Sequence, residues 1–399
     1  MPFPDSTPGL RPPKLCPLFF PVYTRPIFPV FAGLLLLATS CFPIPQAKSL
    51  PENFDSLSQR AAAARDSDRL DEAVVLYKKA LALRPRWAEG WWSLGTLEYD
   101  RNNYHSAAIA FHKLLPLAPK DGTAHAMLGL CEFELGQDDA ALKHLEQAKT
   151  LDVSSNPQLR LVLLYHDGIL LLRANKFQSG QTVLSNLCKD SIPDEDVVKT
   201  LGWAVFRISP NTAPAEGTPG AQIIQRAGHA ACITAQKKYD QARQEYSDLV
   251  TEYPDYPYIH YVFGKFLAES NDSAGAITEF QRELKNNPRD INSRLEIAAT
   301  QYKLDSAAGI PYAEEAVQLN PHIPFAHYLL GLLYLDTDDY QKAIPQLEIA
   351  QQSFPKEAKV YFALGSAYSR AGRKLDAEKA RAAFQRLSQE SSEDSKASY

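Results

Sequence analysis

The feature of this 399-residue chain that most constrains its fold is an internal periodicity of 34 residues. Three kinds of position keep that spacing independently: small alanines, prolines, and pairs of residues that end in glycine. About 34 residues suffice for two helices of three to four turns and two short turns. A hairpin of that size leaves one apolar face uncovered, so only stacking on the next hairpin completes a core. The repeated positions include Ala73, Ala107 and Ala141; Pro85 and Pro119; Leu94-Gly95, Leu128-Gly129, Leu330-Gly331 and Leu364-Gly365.

These positions resemble those of the tetratricopeptide repeat (TPR), in which aromatic, Leu-Gly, Tyr, Ala, Phe and Pro residues occupy fixed places in a helix-turn-helix unit. The resemblance covers residues 54–390, with clear copies at Ala88–Asp121 and Pro324–Glu357. It implies an all-α fold, a right-handed superhelical solenoid of TPR helix-turn-helix repeats. In the first copy the matching residues are Trp91, Leu94, Gly95, Ala107, Phe111 and Pro119.

Two irregularities interrupt the array. From Gly129 to Gly168 the spacing is 39 residues instead of 34, which indicates an insertion near residues 154–158. Residues 208–220 contain three prolines and two glycines where a second helix is expected, and this composition predicts a loop. We therefore expect a front TPR array at 54–207, a Pro/Gly loop at 208–220 that is a candidate site of bending, a rear TPR array at 221–390, and a disordered tail at 391–399.

The first 40 residues differ from the repeats and predict a signal segment. Nine prolines within residues 1–30 exclude a helix there. An apolar run, Val30–Ser40, follows Arg25 and ends in small residues, which is the layout of a secretory signal. Leu37–Cys41 resembles a relaxed bacterial lipobox, which implies lipid attachment at Cys41 and a linker at 41–53. Cleavage to a soluble exported form, an uncleaved anchor, and a translation start near Val22 are the alternatives.

Charge and motif content exclude several classes of function. The 42 basic and 47 acidic residues give a net charge of −5, which argues against a sequence-independent grip on nucleic-acid phosphates. The chain contains none of the GxSxG, GK[ST], GxGxxG and HExxH motifs that mark hydrolases, phosphate loops, dinucleotide sites and metalloproteases. We therefore expect no enzyme activity, no cofactor, no metal and no nucleic-acid partner.

The histidines and cysteines of the repeats are interpreted as structural. Three histidines share the fourth repeat position in separate repeats, where a packed side chain is typical, so a common metal site is not expected: His125, His260 and His327. If Cys41 carries lipid, three cysteines of the repeats remain and cannot all form pairs. Buried free thiols are therefore the expected state of Cys131, Cys188 and Cys232.

A candidate binding surface follows from the repeat register. In repeats of this type the first helices line the concave side, and their positions 2, 5, 9 and 12 point inward. Rigid amphipathic rings at these positions, interspersed with Lys199, Lys265 and Lys359, suit a groove for an extended peptide or a helix. Alternatively, several of the rings pack into the core. The candidate groove residues are Trp92, Tyr99, Phe133, Tyr165, Trp203, Phe206, Tyr258, Tyr261, Tyr302, Phe325, Tyr328 and Phe362.

The sequence thus predicts a non-catalytic scaffold or adaptor for protein–protein interaction. It would bind a peptide or protein segment in the concave groove, and it would be exported and tethered by lipid in the bacterial cell envelope. A secreted soluble form remains open. The alternative function is an accessory or regulatory region of an envelope enzyme system, or a divergent enzyme with a site near residues 208–220. Self-association by end-to-end stacking is a third possibility.

Overall fold

The computed structural model describes residues 53–151, 157–190, 193–302 and 304–397, with side chains described as far as Glu390. The described residues belong to one compact unit, Asn53–Tyr399. The predicted signal segment, Cys41 and almost all of the linker lie outside the described residues.

Every regular element in the described part of the chain is helical, which confirms the predicted all-α repeat superhelix. Short helices of Asn186–Cys188 and Pro210–Thr212 have 3-10 geometry. The α-helices are α1 Phe54–Asp66, α2 Leu70–Leu83, α3 Ala88–Asp100, α4 Tyr104–Leu114, α5 Gly122–Glu134, α6 Asp138–Thr150, α7 Pro157–Arg173, α8 Phe177–Ser185, α9 Glu195–Phe206, α10 Pro219–Ala235, α11 Tyr239–Glu252, α12 Ile259–Glu269, α13 Ser273–Asn286, α14 Ile291–Gln301, α15 Ser306–Leu319, α16 Pro324–Asp336, α17 Tyr340–Ser353, α18 Ala358–Arg370 and α19 Lys374–Ala397.

Local sequence determines where these helices begin and turn. Pro119 follows the second helix α4, and Asp121 then caps α5 by accepting hydrogen bonds from the backbone N–H groups of Thr123 at 2.9 Å and Ala124 at 3.0 Å. The turn between α3 and α4 places Asn102 at φ 58°, a left-handed conformation that asparagine tolerates better than most residues. Consecutive helices therefore fold back on each other as hairpins.

The repeated glycines Gly95 and Gly331 lie where the two helices of a hairpin touch. A Cβ atom added to Gly95 would lie 2.8 Å from the Phe111 ring, and one added to Gly331 would lie 2.6 Å from Leu347. Phe111, rather than the repeated Ala107, lies nearest to an added Cβ at Gly95. The glycine therefore makes room for a large side chain from the second helix, sixteen residues further along the chain.

The helices α9 and α10 depart from this hairpin pattern because they run in the same direction. Gln225, near the beginning of α10, donates a hydrogen bond of 2.6 Å to Glu195 at the beginning of α9. The two backbones meet at glycines: a Cβ on Gly228 would lie 2.0 Å from the Val198 carbonyl oxygen, and one on Gly202 would lie 2.2 Å from the Ile224 carbonyl oxygen. Helix α10 then forms an antiparallel hairpin with α11, in which Arg226 pairs with Glu252 at 2.6 Å.

The structure also modifies the predicted boundaries. Helix α7 begins at Pro157, four residues earlier than the 34-residue register would place its start. Part of the predicted insertion therefore lengthens this helix. Residues 152–156 lie outside the described part. Helix α10 begins at Pro219, inside the predicted loop. Helix α19 extends to Ala397, so most of the tail predicted to be disordered from residue 391 continues a helix instead.

The apolar core continues across the interruption at 208–220. One cluster of buried side chains extends from Tyr165 in α7 to Ile297 in α14 and includes residues on both sides of that segment. Ile208 and Ala213, within the segment, pack against the same cluster. The interruption of the repeat is therefore not an interruption of the core.

Candidate functional site

The concave positions of the central helices are covered by the segment that replaces a second helix after α9. Residues 208–218, here called the strap, leave the end of α9 and return to its beginning, where α10 begins. The 3-10 helix Pro210–Thr212 of the strap contacts α7. Glu216 of the strap pairs at 3.0 Å with Lys199, which occupies concave position 5 of α9. Lys199 also lies 5.8 Å from the centre of the Trp203 ring at position 9.

Four of the predicted groove residues are buried in the core on which the strap packs. Their exposed fractions are 8% for Tyr165, 6% for Trp203, 2% for Phe206 and 4% for Tyr261. All four belong to the cluster against which Ile208 and Ala213 of the strap pack. The burial of Tyr165, Trp203, Phe206 and Tyr261 means that little of their ring surface is offered to a ligand in this conformation.

Predicted groove residues of the front repeats are largely covered by neighbouring side chains. Trp92 is half-buried and meets Phe111 edge to face, with ring centres 5.7 Å apart. The guanidinium of Arg173 lies over the half-buried Phe133 ring at 4.4 Å. Tyr99 is buried, and burial raises the pKa of its hydroxyl. The front of the concave surface therefore offers only part of the predicted aromatic area.

The rear repeats expose the largest part of the predicted set. Tyr302 is 38% exposed, Phe325 46% and Phe362 61%. Tyr302 directly follows α14, Phe325 is the second residue of α16, and Phe362 is the fifth residue of α18. Tyr328 is half-buried between them, and burial, followed by the neighbouring Tyr302, raises the pKa of its hydroxyl. We call Tyr302, Phe325, Tyr328 and Phe362 the rear aromatic surface. Tyr258, the remaining predicted ring, is half-buried and meets Tyr261 edge to face with ring centres 5.9 Å apart.

The three lysines predicted to line the groove differ in their charge environment. Lys199 pairs with Asp196 at 2.8 Å as well as with the strap, and Lys265 pairs with Glu296 at 2.9 Å. Lys359, on α18 beside the rear aromatic surface, has no carboxylate within salt-bridge distance among the described residues. Positive charge that a partner can use is therefore located at the rear.

One prediction about the cysteines was wrong. Cys188, the last residue of the 3-10 helix that follows α8, and Cys232 in α10 form a disulfide, with Cα atoms 5.0 Å apart. The sequence could not indicate this pair because the two residues lie 44 positions apart, in different repeats. Their proximity depends on the parallel packing of α10 beside α9. Cys131 is a buried free thiol as expected, and burial raises its pKa to about 12.

The histidines at the fourth repeat position have structural partners. His125 and His327 each place Nε2 near the carbonyl oxygen of a proline six residues earlier, at 3.3 and 2.9 Å. The His260 ring meets the buried Glu279 carboxylate at 2.7 Å. Within the described ranges, no three His, Cys, Asp or Glu side chains form a group suited to hold a metal ion.

Comparison with known proteins identifies the repeats. The tetratricopeptide repeat family matches residues 58–122, 94–155, 235–291, 301–358 and 328–395, together more than half of the chain. The chain belongs to the tetratricopeptide repeat family. A curated relative, Protein FlbA of Caulobacter vibrioides, is 30% identical over 98 residues, which are 25% of this chain and only 16% of that relative. None of the described TPR helices combines the length and apolar character needed to cross a membrane.

Several solved structures resemble the array. MamA from Desulfovibrio magneticus RS-1 is 23% identical, with 42% of this chain and 94% of that one covered and a TM-score of 0.38. YrrB, described as a TPR protein with an unusual peptide-binding site, is 16% identical, with 41% and 86% covered and a TM-score of 0.38. Yeast Tom70 is 13% identical, with 84% and 69% covered and a TM-score of 0.33.

Proposed function

We propose that this TPR protein is a non-catalytic interaction scaffold whose rear aromatic surface binds an extended segment of a partner protein. The observation that carries the proposal is the exposure of Tyr302, Phe325 and Phe362 on three successive first helices, with the half-buried Tyr328 between them. Buried aromatic anchors supply most of the free energy of binding in protein interfaces. The unpaired Lys359 on the same side favours a segment that carries a carboxylate near its apolar residues.

Site-specific photocrosslinking in the organism of origin tests this function. A photoreactive phenylalanine derivative is placed at Phe325 or Phe362, and at Val75 or Ile109 as controls, which are 53% and 48% exposed on second helices. We expect positions 325 and 362 to capture the same partner and positions 75 and 109 to capture none. Equal capture at all four positions would refute the proposal.

The strength of the interaction is then measured with the captured segment as a labelled peptide. We expect the F325A/F362A double variant to bind at least about tenfold more weakly, since losing one anchoring ring typically costs more than about 1 kcal/mol. The V75A/I109A double variant removes comparable exposed apolar groups from second helices and should bind as the wild type does.

We further propose that the protein is exported to an oxidising compartment and tethered by lipid at Cys41. Disulfides persist outside the reducing cytosol, and Cys188 and Cys232 are both fully buried as a pair. The signal-like sequence of residues 1–40 supports the same location. Thiol trapping on protein from the native cell envelope should find residues 188 and 232 linked, and Cys41→Ala should abolish incorporation of labelled fatty acid. Reduced thiols at 188 and 232, or unchanged lipid labelling of the variant, would contradict this proposal.

A further inference from the structure

A cavity of about 390 Å³ opens where the repeat pattern is interrupted. Because the strap leaves α9 toward the concave side, no second helix follows α9, and the space beside its C-terminal end remains open. Ala204 and Val205 of α9 line this space, together with one face of α8, the C-terminal part of α10, and α12. We call it the break cavity. It is separate from the rear aromatic surface, so its role does not depend on the function proposed above.

The break cavity is positively charged although the protein as a whole is acidic. Lys189, Arg207, Lys237 and Lys265 line it, against a single carboxylate, Glu269. Lys265 is neutralised by Glu296, outside the lining, at 2.9 Å. The remaining three cations have no carboxylate partner within the described ranges, which leaves an excess of positive charge around the opening.

Arg207 is the central cation because it is shielded and yet lacks a carboxylate. Other shielded arginines of this protein are paired: Arg173 with Asp138 at 2.8 Å, and Arg294 with Glu315 at 2.7 Å. The partly buried Arg207 meets no carboxylate of the described residues. A shielded guanidinium retains its charge at any physiological pH. An anion from outside the chain would therefore stabilise it by pairing with that charge.

The Arg207 side chain is held in position by two rings. Its guanidinium lies 5.4 Å from the centre of the Phe177 ring. It also faces the Tyr261 hydroxyl: burial raises the pKa of that hydroxyl, and Arg207 opposes the rise. A planar group fixed in this way binds a carboxylate with little further loss of side-chain entropy.

Two of these cations have backbone conformations that are unfavourable for their residue types. Arg207 has φ 57° and Lys237 has φ 61°, in the left-handed region that costs an ordinary residue about 1–2 kcal/mol. In most other turns of the described array the left-handed residue is of a type that tolerates it, such as Asn102, Gly136 or Asn271, and Tyr258 at φ 66° is a further exception. Arg207 and Lys237, unlike Tyr258, line the break cavity, where backbone strain can serve binding.

We propose that the break cavity binds a carboxylate attached to an apolar or aromatic group, either the C-terminal carboxylate of a peptide or a free organic acid of the same chemistry. Tyr239 supplies the exposed apolar lining, with the buried Tyr261 and Phe266 behind it in the cavity wall, and Arg207 supplies the bidentate donor. The aromatic side chains beside Arg207 favour a carboxylate on an apolar group over a phosphate. The disulfide next to Lys189 joins the α8 wall to the α10 wall and keeps the opening at a fixed width.

Calorimetric titration of the full chain tests the assignment with four probes. N-acetyl-phenylalanine and Gly-Gly-Phe carry the carboxylate, and their amides are the uncharged counterparts. We expect at least one acid to bind, and its amide to bind at least tenfold more weakly. Tighter binding of Gly-Gly-Phe than of N-acetyl-phenylalanine would identify a peptide terminus as the ligand, and equal binding would identify a free acid. No binding of either acid up to millimolar concentration, or equal binding of acid and amide, would overturn the proposal.

Variants locate the binding to Arg207. Arg207→Gln should weaken binding of the acids at least tenfold and leave binding of the amides unchanged, whereas Arg289→Gln, at an exposed arginine of the rear repeats, should change neither. Arg207→Lys keeps the charge but not the planar guanidinium. Its affinity for the acids should lie between those of the wild type and of Arg207→Gln. A folded Arg207→Gln protein that binds the acids as the wild type does would refute the assignment, and the acid-to-amide comparison on the wild type remains decisive if that variant fails to fold.

Discussion

At the scale of single residues, the contact between α9 and α10 makes Gly228 the glycine least able to accept a side chain. Its added Cβ would meet backbone atoms, the Val198 carbonyl oxygen at 2.0 Å and the Gly202 nitrogen at 2.8 Å, and backbone cannot move aside as a side-chain tip can. We therefore expect Gly228→Ala to destabilise the protein by about 3 kcal/mol or more, seen as a lower midpoint in urea unfolding.

The matched control is Gly365 in α18, where the nearest atom to an added Cβ is a side-chain carbon of Arg381 at 3.4 Å. Alanine is favoured over glycine in a helix by about 0.5–1 kcal/mol, so Gly365→Ala should raise the midpoint slightly. If both variants shifted the midpoint alike, the close backbone contact between α9 and α10 would be wrong.

The glycines at repeated positions could be identified from the sequence, whereas the backbone contacts between α9 and α10 could not. Gly95 belongs to the Leu-Gly series that marks the repeat register, and it contacts the second helix of its own hairpin. Gly202 also belongs to it, but its partner is a backbone rather than a large side chain, because the following helix runs parallel to α9. Gly228 lies outside every 34-residue register, and only coordinates reveal its contact.

The buried Glu283 should make stability depend on pH in an unusual direction. It is fully buried, its Oε1 accepts the Tyr258 backbone N–H at 3.1 Å, and its Oε2 has no hydrogen-bond partner. Burial raises its pKa, so the ionised form destabilises the fold, and protonation as pH falls through the folded-state pKa removes that cost. Glu283→Gln cannot gain in this way, so the wild type should become more stable relative to the variant as pH is lowered through the folded-state pKa toward the unfolded-state pKa.

The comparison for Glu283 is Glu252, an exposed carboxylate whose pKa is lowered by its hydrogen bond with Tyr253 and then by Arg226. That stabilising contribution is present above the unfolded-state pKa and is lost as pH falls through the folded-state pKa. The wild type should therefore lose stability relative to Glu252→Gln over the acidic range. Thermal unfolding at a series of pH values measures both differences, and the same sign for both would contradict the assignment.

At the scale of elements, the sequence predicted that a loop replaces the second helix after α9 but not which surface the loop covers. Prolines and glycines in residues 208–220 exclude a helix, yet a segment without periodicity carries no sign of the side chains on which it lies. The burial of Trp203 and Phe206 therefore followed from the structure alone. The same applies to the Cys188–Cys232 pair, since two cysteines in different repeats show no recognisable spacing.

The disulfide should be a major contribution to the stability of the central helices. It closes a loop of 44 residues, and the chain-entropy relation for a loop of that length gives about 4 kcal/mol, an amount that native-state strain usually reduces. We expect a reducing agent to lower the thermal midpoint of the wild type. The C188S/C232S double variant should already have the lower midpoint and should not respond to the reducing agent. A wild-type midpoint that is insensitive to reduction would show that the bond contributes nothing.

At the scale of the whole repeat array, stability should follow the continuity of the core. In a solenoid each hairpin is stabilised by its neighbours, so the ends are least protected and unfolding starts there. The central cluster from Tyr165 to Ile297 joins α7 to α14 across the strap, and the disulfide lies within it. Bending at residues 208–220, which the sequence suggested, would need these contacts to separate.

Hydrogen exchange followed by mass spectrometry distinguishes one continuous array from two arrays joined at a hinge. We expect amides of α9, α10 and α12 to be the slowest to exchange, and amides of α1 and α19 to be the fastest, because the terminal helices have a neighbour on one side only. Reduction of the disulfide should accelerate exchange mainly in α8, α9 and α10. Clearly different exchange rates in α9 and α10, with the faster exchange on one side of the strap, would mean that the front and rear repeats unfold separately. The continuous core would then not govern stability.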